Sequence, residues 1–235
     1  MKVIGRDIGG TLDVMYGQLE RRVQTEAERP LQTEAFTGGS FSNVEWREDA
    51  VVIQLHSGVP THALPHVFGV ALQHIRQRLD LYPRVIAPVR QLQSGPLLRS
   101  ALRELVMGPE AEMHLEPLKL DMEWEVEQRH QGLKDLLRDS TDEWDKVNTP
   151  AFIFTALQYG RFSLEHPAEL WEPLRDQFTE KLPEAARCGA QIVEAVKKSG
   201  WRTPGACLES LVAARDLLGL QEYAAIEDRQ RGKLL

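Results

Sequence analysis

The chain has 235 residues, of which 42% are hydrophobic and 27% are charged, which is the composition of a folded globular protein. Its 28 Lys and Arg against 35 Asp and Glu give a net charge of −7 at pH 7. This balance argues against a general nucleic-acid-binding surface, because phosphate binding depends on basic side chains. No stretch reaches the roughly 20 apolar residues of a membrane span, and the first ten residues lack an apolar signal-peptide core. We therefore expect a cytoplasmic protein that contacts neither membrane nor nucleic acid.

The first sixty residues carry one helical and two strand patterns. An amphipathic helix is predicted by apolar residues at three- and four-residue spacing, namely Leu12, Met15, Leu19 and Val23. Pro30 and Gly38-Gly39 predict a polar linker after it. The segments 41–46 and 51–55 are rich in aromatic and β-branched residues and predict two strands joined by the polar turn 47–49.

From Pro60 onward the pattern is helical and is punctuated by prolines, which mark helix starts and breaks because proline lacks the backbone N–H. The predicted helices are 65–80, 96–107, 120–138, 150–165, 168–181, 184–199 and 205–218. The polar tail 227–233 predicts a frayed end. A strand pair followed by many helices predicts an α+β fold with a small antiparallel sheet and a dominant helical part.

Two further groups of residues have simple interpretations. Cys188 and Cys207 form no CxxC pair and are predicted to be small buried residues. The acidic stretch 123–130 contains one Glu127-x-x-His130 pair, a spacing found twice in di-iron helical bundles. A single pair instead predicts a solvated helix face on which Glu125 pairs with Arg129.

The segment 56–74 holds four of the seven histidines. At 100° per residue, His66 and His74 fall on adjacent parts of one helix face, and His62 lies near the start of that helix. Imidazoles on one face can share a metal ion if a carboxylate arrives from elsewhere in the fold. The spacing therefore makes His62, His66 and His74 candidate metal ligands.

Residues 66–74, HVFGVALQH, resemble the active-site helix of zincin metallopeptidases, in which HEFGHALQH is a common form. In that family the two histidines four residues apart bind zinc, and the Glu between them is the general base. His66 corresponds to the first zinc ligand. Val67 stands at the position of the general base and Val70 at that of the second ligand, so the resemblance implies a zincin scaffold without zincin chemistry.

A third zincin ligand is a Glu from a later helix, and residues 103–112, RELVMGPEAE, are similar to that segment. The resemblance leaves the matching carboxylate open among Glu104, Glu110 and Glu112. It implies a zincin-like α+β region at 1–115. A helical region at 116–235 is expected to pack on it as part of one structural unit, with aromatic residues that form core or a dimer face.

Three functions remain open at this point. The first is a non-catalytic binding or regulatory protein on a degenerate zincin-like scaffold, without cofactor, which binds a protein or peptide by edge pairing beside strand 51–55. The second is a zinc-dependent hydrolase that uses His62, His66 and His74 with Glu104, Glu110 or Glu112. The third is a helical interaction module unrelated to zincins, in which strand 51–55 would not lie beside helix 65–80. A homodimer is compatible with each.

Overall fold

The computed structural model describes residues 1–88 and 93–235. This described part is 60% helical, with eight α-helices and small sheets of two or three strands, which confirms the predicted α+β fold with a dominant helical part. None of the helices in the described residues is both long and apolar enough to cross a membrane. The helices are α1 Asp13–Glu26, α2 Leu64–Leu79, α3 Gly95–Leu115, α4 Glu123–Asp139, α5 Pro150–Glu165, α6 Ala168–Lys181, α7 Pro183–Ser199 and α8 Pro204–Leu217.

Proline sets the starts of several helices, as the sequence predicts. Helices α5, α7 and α8 each begin at a proline, where the missing N–H has no intrahelical partner to lose. Thr149 and Thr203 complete two of these starts by accepting hydrogen bonds from the backbone N–H of Phe152 and Ala206. Pro109 is an exception, because α3 continues through it to Leu115 rather than ending near 107.

The strands of the described residues form three small sheets. They are β1 Lys2–Val3, β2 Arg6–Asp7, β3 Leu31–Phe36, β4 Ser42–Trp46, β5 Val51–His56, β6 Arg84–Ile86, β7 Ala225–Asp228 and β8 Lys233–Leu234. β1 and β2 form an antiparallel pair, and the order β3-β5-β4 places β5 parallel to β3 and antiparallel to β4. The segment after Pro30, predicted as a linker, is therefore a strand, and this sheet is mixed rather than purely antiparallel.

The chain divides into two compact units. The first unit comprises Met1–Asp80 and Ala111–Val126, and the second comprises Leu81–Glu110 and Glu127–Leu235. In the first unit, one face of α2 packs against β5 in a shared hydrophobic core. The core contains Val51, Ile53, Leu55, Leu64, Val67, Phe68, Ala71, Leu72 and Ile75, with Leu118, Leu120 and Trp124 packed against it.

The second unit is built mainly from helices α5 to α8 around a separate core. Tyr159 belongs to this core and makes edge-on contacts with the rings of Trp171 and Phe178. Cys188 and Cys207 are buried there as predicted. The predicted frayed tail is instead ordered, because β7 pairs with β6 on one side and β8 on the other.

Candidate functional site

The helix that resembles the zincin motif is α2 of the first unit. Pro65 lies in its first turn, and its apolar face meets β5 through the core described above. Val67, at the position of the zincin general base, is 1% exposed and belongs to that core. An apolar side chain there can neither accept a proton from water nor bind a metal ion.

His66 lies between two carboxylates. Its Nε2 lies 2.8 Å from Oε2 of Glu112, near the end of α3, and its Nδ1 lies 2.5 Å from Oε1 of Glu125, in the first turn of α4. His66 and Glu125 are each 2% exposed, whereas the side chain of Glu112 is 24% exposed. All three residues belong to the first unit, so the cluster ties α2 to the 111–126 segment within it.

The two carboxylates hold the proton on the imidazole. Burial lowers the pKa of His66, but the hydrogen bonds and negative charges of Glu112 and Glu125 outweigh it and raise the pKa from 6.5 to about 9. At neutral pH the ring is therefore an imidazolium that donates to both carboxylates. A cation in this state has no nitrogen lone pair with which to coordinate a metal or accept a proton.

The other candidate ligands lie in different surroundings. His62 is exposed, and His74 is hydrogen-bonded through Nδ1 to Oε1 of Gln77, 2.9 Å away. Glu104 is paired with Arg103 at 2.6 Å, and Glu110 is fully buried; both belong to the second unit. Among the predicted ligands, the structure thus shows a direct contact between His66 and Glu112.

The zincin donor set does not fit a zinc ion here. Val70 stands at the position of the second zincin ligand, and both nitrogens of His66 are hydrogen-bonded to carboxylates. Across residues 1–88 and 93–235, no group of three or more His, Cys, Asp or Glu side chains could hold a metal ion. Zinc at His66 would require the loss of a proton and the displacement of at least one carboxylate.

Glu125 is the residue of this cluster that the sequence analysis missed. Its predicted place on a solvated face is wrong, because Glu125 is buried against His66, 59 positions away. The helix pattern held no clear signal for this burial. Leu133 and Leu137 are buried further along α4, but at 100° per residue they lie about 80° and 120° around the helix from Glu125. A buried carboxylate needs a partner, and only the fold brings one to it.

The expected pairing of a peptide beside strand 51–55 is also corrected. β5 is the central strand of its sheet, with β3 on one side and β4 on the other, so its backbone groups are already used. The edges of this sheet are formed by β3 and β4. A peptide strand could add only at these edges.

Comparison of the chain with models of known protein families, with curated proteins and with solved structures finds no match.

Proposed function

We propose that the protein is a non-catalytic binding or regulatory protein whose first unit has a zincin-like scaffold. The observation that carries this proposal is the state of His66, which is a buried imidazolium engaged by Glu112 and Glu125. Val67 and Val70 stand where a zincin has its general base and second ligand. The packing of β5 against α2 supports this scaffold over a helical module unrelated to zincins, which would keep the two apart.

The partner is a protein or an extended peptide that pairs with the outer edge of β4, in the cytoplasm. Arg47 N–H bonds to the carbonyl of Ala50, and His56 N–H bonds to the carbonyl of Phe41. Because bonded and non-bonded residues alternate along an antiparallel pair, the backbone groups of Ser42, Val44 and Trp46 point away from β5. These groups are the ones that an added strand would use.

Metal analysis of the purified full-length protein tests the non-catalytic part of the proposal. We expect no stoichiometric zinc at His66 and no peptidase activity on unfolded casein. His66→Ala is the decisive variant. A zinc ion that is bound in the natural sequence and lost in this variant, together with peptide cleavage, would establish the hydrolase instead.

Selection from a library of extended peptides displayed on phage tests the binding part. Ser42→Pro removes one outward N–H of β4, whereas Ser42→Ala keeps it and serves as the matched control. Selected peptides should bind the alanine variant as they bind the natural chain and lose most of their affinity for the proline variant. Equal binding to both variants would show that the β4 edge is not the binding site.

A further inference from the structure

The second unit contains a pair of histidines that the zincin resemblance does not involve. His130 lies in α4 and His166 follows the last residue of α5, so the two come from different helices. Their rings are nearly parallel, at 7°, with centroids 5.4 Å apart. Nδ1 of His130 and Nε2 of His166 lie 3.2 Å apart in a hydrogen bond, in which one nitrogen donates and the other accepts through its lone pair.

We propose that His130 and His166 form a binding site for a divalent transition-metal ion. Two nitrogen ligands at the usual Zn–N distance in a tetrahedral site lie about 3.3 Å from each other. The observed separation of the two nitrogens is close to this value, so a metal ion could replace the shared proton with small movements of the rings. Neutral imidazole suits copper, nickel and zinc ions, and copper(II) is bound most tightly in this series.

The residues around the two histidine rings position them and leave them accessible to solvent. Both histidines are half-buried, and the ring of Phe162 packs against that of His166 at 5.0 Å between centroids. No third His, Cys, Asp or Glu completes a metal-binding group in the described parts of the chain, so water molecules fill the remaining coordination positions. A site with two protein ligands and open positions is accessible from solution.

The guanidinium of Arg129, whose charge acts on His166, is paired with a buried carboxylate. Glu165, whose side chain is 7% exposed, accepts a hydrogen bond from Nε of Arg161 at 3.0 Å and lies 3.5 Å from Nη1 of Arg129. Its Oε1 is buried without a hydrogen-bond partner in the described residues, where Gly108 leaves room for it. A Cβ at Gly108 would lie 2.3 Å from that oxygen. Pairing with Glu165 therefore reduces the positive charge that Arg129 presents to the proposed site.

Titration of the full-length protein with copper(II), with glycine as a competing ligand, tests the site. We expect one tightly bound ion per chain at pH 7 and nitrogen hyperfine structure in its electron paramagnetic resonance spectrum. His130→Ala and His166→Ala should each lower the affinity at least about tenfold. The exposed His62 provides the matched control, and His62→Ala should leave the affinity unchanged.

The double variant distinguishes one shared site from two independent ones. If both rings bind the same ion, the second substitution should add little to the loss caused by the first. Additive losses, or tight binding that survives both substitutions, would overturn the proposal. His130→Gln and His166→Phe replace the alanine variants if near-ultraviolet circular dichroism shows a packing change, and the same outcomes apply. Zinc analysis of these variants and of His66→Ala separates this site from the zincin-like helix.

Discussion

His66 shows how a single buried side chain can be stabilised by charge. The imidazolium would be costly to bury alone, but two carboxylates accept hydrogen bonds from its N–H groups and supply the opposite charge. The same arrangement makes the three groups depend on one another, because Glu125 is 2% exposed and its carboxylate accepts a hydrogen bond from His66. We therefore expect the removal of one member to lower the free energy of unfolding more than the replacement of all three residues does.

We predict that His66→Leu destabilises the protein by about 3–5 kcal/mol, because it leaves the carboxylates of Glu112 and Glu125 beside an apolar side chain. Replacing all three residues with leucine should recover part of this loss, since the two carboxylates are then removed together with the imidazolium. The free energy of unfolding in urea measures both effects. His62→Leu, at an exposed position, should change stability by less than about 0.5 kcal/mol.

If the triple variant is no more stable than His66→Leu, charge compensation is not what holds the cluster.

At the scale of elements, local signals predicted the helices well and the strands poorly. Proline and capping threonine act within one turn, so the start of α5 at Pro150 could be read directly. Strand β3 could not be predicted in this way. Leu31 is its only buried residue, and the strand depends on pairing with β5, 20 positions away. The candidate site follows the same rule: the motif helix predicted His66, but only the fold brings Glu125 to it.

The crossing of α5 and α7 permits a test of packing at this scale. Gly189 in α7 lies so close to α5 that an added Cβ would come within 2.6 Å of the ring of Tyr159. We predict that Gly189→Ala destabilises the protein by about 1–3 kcal/mol through overpacking, although alanine is the better helix former. Thermal unfolding monitored by circular dichroism gives the measurement.

Gly132 in α4 is the matched control for this substitution. It is exposed, and a Cβ added there would meet nothing within 4 Å. Gly132→Ala should therefore stabilise the protein by about 0.5–1 kcal/mol, because only the helix propensity changes. If Gly189→Ala stabilises the protein as Gly132→Ala does, α5 and α7 are not packed as closely as described.

At the scale of the whole molecule, the two units place histidines in opposite electrostatic environments. His66 in the first unit has a pKa raised to about 9 by its carboxylates, against the cost of burial. In the second unit, burial together with the charges of His130 and Arg129 lowers the pKa of His166 to about 4. The ordinary value of 6.5 lies between them, so both units contribute to the pH dependence of stability.

We predict that stability is greatest near pH 6.5 and falls on both sides. Between pH 6.5 and 9 the folded state holds the proton on His66 more tightly than the unfolded state does, so stability falls as the pH rises, by about 3 kcal/mol in total. Below pH 6.5 the unfolded state protonates His166 first, so stability falls as the pH decreases towards 4. Urea denaturation between pH 5 and 9.5 measures both arms before most carboxylates titrate.

Two substitutions test which histidine causes the alkaline fall in stability and which causes the acidic fall. His66→Gln should flatten the alkaline arm and leave the acidic arm in place, whereas His166→Phe, which keeps an aromatic ring against Phe162, should reduce only the acidic arm. Because the two arms lie on opposite sides of pH 6.5, each effect should appear in its own pH range in the double variant. An alkaline arm that persists in His66→Gln would mean that the imidazolium does not carry the predicted stabilisation.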